Sequence, residues 1–302
     1  MSVTTEIDFT VGSRRVFSAR REVARWNFDL ETILSDNHTA PVPPAPGPDG
    51  LEVISAPRPA VPAILARFPE HLVGGRVEFR RHYVDMGMGL EAYMARFSSK
   101  TRSTLRRKAR KLAREAGDYR ISAFRTAEEV AAFLERALPL SRATYQARLL
   151  DAGLPEALEE RRGMIASAGE DGWRCFLLEA AGRPLAYLAL EVRGRTLVYT
   201  HVGHDPAFEA LSPGTVLQLE ALEHLFDEGR FAWFDFTEGE GAHKERFGTA
   251  CAECSSFLLL EPTLANRSLT RGREAFDAAV AAARMTAGRL GLLAKVRSLL
   301  RA

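Results

Sequence analysis

Cysteine is scarce in this chain: Cys175, Cys251 and Cys254 are the only three in 302 residues. That is too few for a disulfide framework at this length, so reduced thiols are expected. The pair in Cys251-Ala252-Glu253-Cys254 has a redox or metal spacing, but a zinc site needs about four ligands and only scattered histidines could complete one. No metal site is expected. No run approaches the roughly eighteen apolar residues of a membrane span, and Met1 to Arg15 carries acids and no apolar leader segment. These features predict a cytoplasmic protein. Strong net charge is also missing. The formal value of +2 is too small to imply nucleic-acid binding by itself.

At 46% hydrophobic and 26% charged, the chain can bury one large core or two modest ones. The periodicity of residues 1 to about 40 does not decide between strand and helix. Pro41 to Gly50 carries prolines that can continue neither, so it reads as a surface loop or linker. A strand at Leu51 to Ser55, a helix from Arg58-Pro59 to about Phe68 and a strand at Arg76 to Val84 follow. Further on, strand Tyr119 to Phe124 leads to a helix from Thr126, with more helix out to about Ala168. Strands at Trp173 to Ala180, Pro184 to Val192 and Thr196 to Val202 are joined by short glycine-containing links, which predicts an antiparallel meander. A helix from Pro213 to Asp227 stops at Gly229, and strand Phe231 to Phe236 follows.

The positive charge is concentrated in two places. Lys100 to Arg114 holds eight cations and no acid, leaving Leu105, Ala109 and Leu112 as a narrow apolar stripe on an otherwise cationic helix. A solvated linker helix and an anion site containing Arg106 and Arg107 both fit this pattern. After Asn266 the tail carries eight cations against Glu274 and Asp277, and its end, with Leu290, Leu292, Leu293, Val296, Leu299 and Leu300, is amphipathic. A packed helix and a membrane-surface contact are the two uses open to it.

The stretch from Trp233 to Gly248 places titratable groups at a strand end, where α/β folds bind ligands. Alternation puts Asp235 opposite Phe234 and Phe236, so a buried, paired carboxylate is expected. Ser212-Pro213-Gly214-Thr215 has the logic of a helix start: serine as N-cap, proline preset at the first position, and glycine admitting a ligand to the backbone. A helix N-terminus of this kind also favours phosphate.

The order of meander, helix, strand, short helix and strand over 173–260 resembles the second half of a GNAT acyltransferase domain. Several local sequences carry a closer resemblance to the Fem-type aminoacyltransferases and the related CelD-like (BioF-associated GNAT) acyltransferases. They are Tyr83-Val84-Asp85 leading to Tyr93, the run Ser99 to Lys108, Ser212-Pro213-Gly214, Phe234-Asp235-Phe236 and Lys244-Glu245-Arg246-Phe247-Gly248. The resemblance implies an α+β fold: a GNAT-like mixed, mostly antiparallel sheet flanked by helices, with an abbreviated N-terminal α/β module and a C-terminal helical extension. The expected divisions are 1–115, 116–262 and 263–302. The Gln/Arg-x-x-Gly-x-Gly/Ala loop of ordinary GNAT enzymes is missing between Val202 and Thr215, which weighs against plain acetyl-CoA.

Acyl transfer to an amine needs a proton acceptor, donors for the tetrahedral oxyanion and a proton for the leaving group. Asp235, Glu238, His201 and His204 are the acid and base candidates. The resemblance places Lys244 at the active site, and Ser212, Gly214, Thr215, Arg106 and Arg107 are the donor-binding candidates. The implied activity moves an acyl group from acyl-CoA or acyl carrier protein, as co-substrate with no tightly bound cofactor, to an amino group of a lipid, sugar or peptide. Envelope lipid or polysaccharide biosynthesis is the implied setting. An aminoacyl-tRNA-dependent transferase and an inactive module binding anionic partners are the alternatives. Peripheral contact with the inner membrane surface is left to the tail.

Overall fold

The computed structural model describes residues 2–11, 14–35, 41–144, 153–239 and 241–289. Their contacts divide the chain into two compact units, one built from 1–80 with 252–302 and one from 81–251. The end of the amphipathic tail from Leu290, and part of the helix expected to run on toward Ala168, lie outside the described residues.

In the first unit, strands β1 (Ser2–Val11) and β2 (Arg14–Asn27) form an antiparallel hairpin. This settles most of the stretch that periodicity left undecided, and a short helix, α1 (Leu30–Leu34), capped by the Asp29 carboxylate, completes it. Strand β3 (Gly50–Pro57) runs parallel to β2, and helix α2 (Val61–Arg67) follows it. The strand order in this unit is β1, β2, β3, β10 (Ala250–Leu260), then β4 (Leu72–Asp85). Trp26, Phe28, Val53, Ile64 and Phe257 form one core. The long helix α9 (Leu264–Arg289) is anchored at its start, where the Arg21 Nε donates to Asn266 Oδ1 at 2.6 Å, and near its middle, where Phe276 meets Phe9 edge-on.

In the second unit the strand order is the end of β4 from residue 81, then β9 (Trp233–Asp235), β8 (Thr196–His204), β7 (Arg183–Arg193), β6 (Trp173–Ala180) and β5 (Tyr119–Phe124). The expected meander of three strands is present, each pair antiparallel. One face of this sheet buries Leu188, Leu190, Leu197, Phe234 and Phe236 under helices α3 (Leu90–Ala95), α4 (Ser99–Ala116) and α7 (Pro213–Glu228). The other buries Trp173, Cys175, Leu177, Tyr187 and Ala189 under α5 (Ala127–Ala143) and α6 (Leu158–Gly169). Helix α5 starts at a complete capping box between Thr126 and Glu129, and α7 stops at left-handed Gly229.

The compact units do not follow the divisions expected at 115 and 262. The basic helix α4 belongs with 81–251 because Leu105 and Leu112 are buried in that unit's core. Strand β9 is shorter than the pattern predicts, since only Trp233 to Asp235 ladder on both sides. Among the described residues, no helix is long and apolar enough to cross a membrane.

Candidate active site

Strands β8 and β9 run parallel, but they pair over only three residues, ending at Val198 opposite Asp235. Beyond that rung β8 continues to His204 while the chain after β9 turns away through Thr237, Glu238 and Gly239, so the sheet opens between them. A bulge sits on β8 at the same level: Ala189 pairs with His201 and Leu190 with Tyr199, leaving Thr200 unmatched. The extra residue puts Tyr199 and His201 on opposite faces, although a regular strand would align them. Tyr199 packs against Phe234, Phe236 and His243 on the α4/α7 face. His201 stacks on Trp173 on the α5/α6 face, with ring centroids 6.1 Å apart. His204, paired with Ala186, faces back toward α7, where a Cβ added to Gly214 would come within 3.9 Å of its Nδ1. The two candidate histidines are therefore on opposite faces of one strand.

Asp235 is buried, as expected, and its partner is a residue the sequence did not single out. The Arg81 Nε donates to Asp235 Oδ1 at 3.0 Å and Nη2 to Oδ2 at 2.5 Å, a two-pronged pair in which both groups are shielded from water. The Asp235 Oδ1 also accepts the Thr237 N–H at 2.8 Å, fixing a turn whose Thr237 is left-handed at φ 59°. Burying an ion pair contributes little net stability, but removing one partner strands the other charge at a cost of about 3–5 kcal/mol. The pair holds the geometry of the strand end.

Lys244 reaches this turn from helix α8 (Ala242–Phe247), its Nζ donating to the Glu238 carbonyl. Partial burial lowers the Lys244 pKa below the ordinary lysine value. Asp235 and Glu238 oppose that shift, and the Arg81 charge adds to it. His243 is likewise held below the usual histidine range, by burial of its ring and then by the charges of Lys244 and Arg246. Helix α8 is tied down by Tyr93, whose hydroxyl donates to the Phe247 carbonyl at 2.9 Å, and by Arg96, which donates to the Gly248 carbonyl at 2.7 Å.

On the α4/α7 face, cations gather at the start of α7. The Lys108 Nζ lies 3.4 Å from the Thr215 hydroxyl, and the Lys111 Nζ donates to the Ala210 carbonyl at 3.1 Å. Burial, followed by the like charge of Arg246, lowers the Lys108 pKa. Two cations crowded at a helix N-terminus suit an anionic ligand, whose charge would offset their repulsion. Arg106 and Arg107 are on the exposed side of α4 instead. Lys108 could have been found from the sequence: it is three residues after Leu105 and four before Leu112, on the face of the buried stripe.

The expectation that the Ser212 side chain caps α7 is not met. Ser212 is left-handed, at φ 56° and ψ 48°, and its hydroxyl makes no capping bond; its carbonyl accepts the Thr215 N–H at 3.0 Å. A side-chain cap requires extended backbone at that position. None of the three cysteines is in a disulfide; Cys251 is exposed, and Cys175 and Cys254 are buried. Among the described residues no group of His, Cys, Asp and Glu could hold a metal ion.

Residues 99–245 match the acetyltransferase (GNAT) domain family. Among solved structures, FemX is similar at a TM-score of 0.50 and 12% identity, over 86% of this chain and 89% of that one. The C-terminal domain of a protein assigned as a lysylphosphatidylglycerol synthetase from Agrobacterium fabrum also has a TM-score of 0.50 and 12% identity, over 74% of this chain and 72% of that one. At such identities the likeness concerns the fold. No curated protein matches the chain in sequence. Residues 99–245 thus carry an acetyltransferase (GNAT) domain, and the mixed, mostly antiparallel sheet flanked by helices is a GNAT-like fold similar to that of FemX.

Proposed function

We propose that the chain transfers an acyl group from a thioester, carried by coenzyme A or an acyl carrier protein, to an amino group of an acceptor. The observation that carries this reading is the cationic site at the start of α7, where Lys108, Thr215 and the Arg246 charge converge beside the opening between β8 and β9. The phosphate of a phosphopantetheine arm would be held there with Gly214 admitting its approach, and the thioester would enter where the strands part. The acceptor would approach from the α5/α6 face.

In the reaction, the amine nitrogen attacks the thioester carbonyl carbon. A C–N bond forms and the carbonyl oxygen becomes an oxyanion; then the C–S bond breaks and sulfur leaves as the thiol. Lys244, held by the Glu238 carbonyl above the Arg81–Asp235 pair, supplies positive charge for the oxyanion. His201, on the acceptor face, takes the amine proton, and His204, beside Gly214 on the donor face, protonates the sulfur. Asp235 positions the turn rather than handling a proton.

A tRNA-borne aminoacyl donor is the second reading, favoured by the exposed Arg106, Arg107 and Arg110, which have no acidic partner among the described residues. Envelope lipid or polysaccharide synthesis and a peripheral membrane location belong to the same proposal. The test is mass spectrometry of products formed from acyl-CoA, acyl carrier protein and aminoacyl-tRNA panels with mixed amines. Wild type is expected to give N-acylated product and Lys244→Ala at least a hundredfold less. Equal product from both would remove Lys244 from the mechanism.

A further inference from the structure

On the α5/α6 face of the 81–251 unit lies a cavity of about 750 Å³ that the reaction described above does not explain. Its size is that of a small-molecule site, which typically occupies about 300–1,000 Å³. The floor is the stacked pair of Trp173, at the start of β6, and His201, within β8, and the wall is the face of α6 from Glu160 to Ser167 with residues 153–157 before it. Glu156, Glu160 and Glu191 line it, and among the described residues no lysine or arginine does. Two of these carboxylates are partly answered at the rim, Glu156 by Arg142 at 3.4 Å and Glu191 by Arg193 at 2.7 Å. Glu160 has no cationic partner among the described residues.

This lining is opposite in sign to the cations gathered at the start of α7. The α4/α7 face carries the cations of α4 and the crowded Lys108 and Arg246, whereas the cavity across the sheet is acidic with an aromatic floor. The bulge at Thr200 connects the two arrangements: by turning His201 to the α5/α6 face, it makes a residue just past the last β8–β9 rung part of the cavity floor. Carboxylates beside an aromatic floor attract an ammonium group through their charge and the electron-rich rings. One such group could be supplied by a monoamine. Three acids spread around a cavity of this volume suit an acceptor with more than one.

We infer that the cavity is the acceptor site and that the acceptor is an aliphatic amine carrying at least two cationic nitrogens. One nitrogen is held by Glu160 and Glu191, while another reaches past His201 toward the opening of the sheet. This assignment rests on the acyl-transfer reading for the role of the bound amine, but the binding itself can be measured without turnover.

The experiment is isothermal titration calorimetry of the full chain with spermidine, with the diamine cadaverine, and with pentanediol as its uncharged counterpart. Saturable binding is expected for both amines and none for the diol. Glu160→Gln and Glu191→Gln should each weaken spermidine binding about tenfold, equivalent to about 1.4 kcal/mol. Glu135→Gln, on the exposed side of α5, should leave it unchanged. Circular dichroism and thermal unfolding of each variant show whether a loss reflects the site or the fold, and Trp173→Phe gives a second readout at the floor of the cavity. Binding that is absent in wild type, equal for the diol, or unaffected by the Glu160→Gln/Glu191→Gln double variant overturns the inference. Incubating the bound amine with the thioester panel separates the two readings, because intact binding without N-acylated product counts against acyl transfer and leaves the cation site standing.

Discussion

Lys244 combines two properties that pull in opposite directions. Its burial and the Arg81 charge favour the neutral amine, while Asp235, Glu238 and the Glu238 carbonyl favour the cation. The net direction is downward, so the ammonium is present at low pH and is lost as pH rises through a value below the ordinary lysine range. If the cation stabilises the oxyanion, kcat should fall on an alkaline limb earlier than an exposed lysine would produce. Lys244→Arg, which stays charged, should move that limb upward while retaining part of the rate. A pH–rate profile of the two enzymes decides this, and an unchanged limb in the arginine variant would assign it to another group. The sequence pointed to Lys244 through a local motif and to a buried Asp235 through strand alternation. It could not supply Arg81, which meets Asp235 across 154 residues of chain. Nothing near Arg81 in sequence distinguishes it from Arg80.

The short helix α8 shows how an element positions such a residue. Gly248, which ends it, has ordinary extended backbone at φ −64° and ψ 145°, so its glycine is required by space and not by conformation. A Cβ there would lie 2.8 Å from the Lys244 carbonyl and 3.3 Å from the His82 Cβ. Gly248→Ala should therefore push α8 outward, with a strain of about 1–3 kcal/mol. On the role proposed for Lys244, a displacement of about 1 Å can cost about a hundredfold in rate, so kcat should fall by roughly that factor. Turnover measured beside thermal unfolding tests this, and full activity in a stable variant would show that α8 tolerates the shift. Element-scale features of this kind were partly legible. The helical run with its apolar stripe predicted α4, and the same stripe contained the signal for Lys108. The bulge at Thr200 had none, because strand alternation continues through it in the sequence.

At the scale of the molecule, a net charge of +2 conceals a strong separation. Arg106, Arg107 and Arg110 project from α4, and the acidic cavity lies on the other face of the same unit. Exposed charges act over about a Debye length, roughly 8 Å at physiological salt. The apparent KM for a carrier-protein or tRNA donor should therefore rise with ionic strength. In an Arg106→Glu/Arg107→Glu variant it should start higher and depend less on salt, and steady-state kinetics across a salt series would show a parallel dependence if α4 is only a solvated face. The sequence alone determined most of the elements, because period, capping residues and turn glycines are local: Tyr119–Phe124, Trp173–Ala180 and the helix stop at Gly229 all follow from neighbouring residues. Only the tertiary structure decided that both ends of the chain build one unit, that Arg81 pairs with Asp235, and that His201 and His204 face opposite ways. Those outcomes depend on strand pairing between distant segments and on one unmatched residue, and neither leaves a periodic trace in the chain.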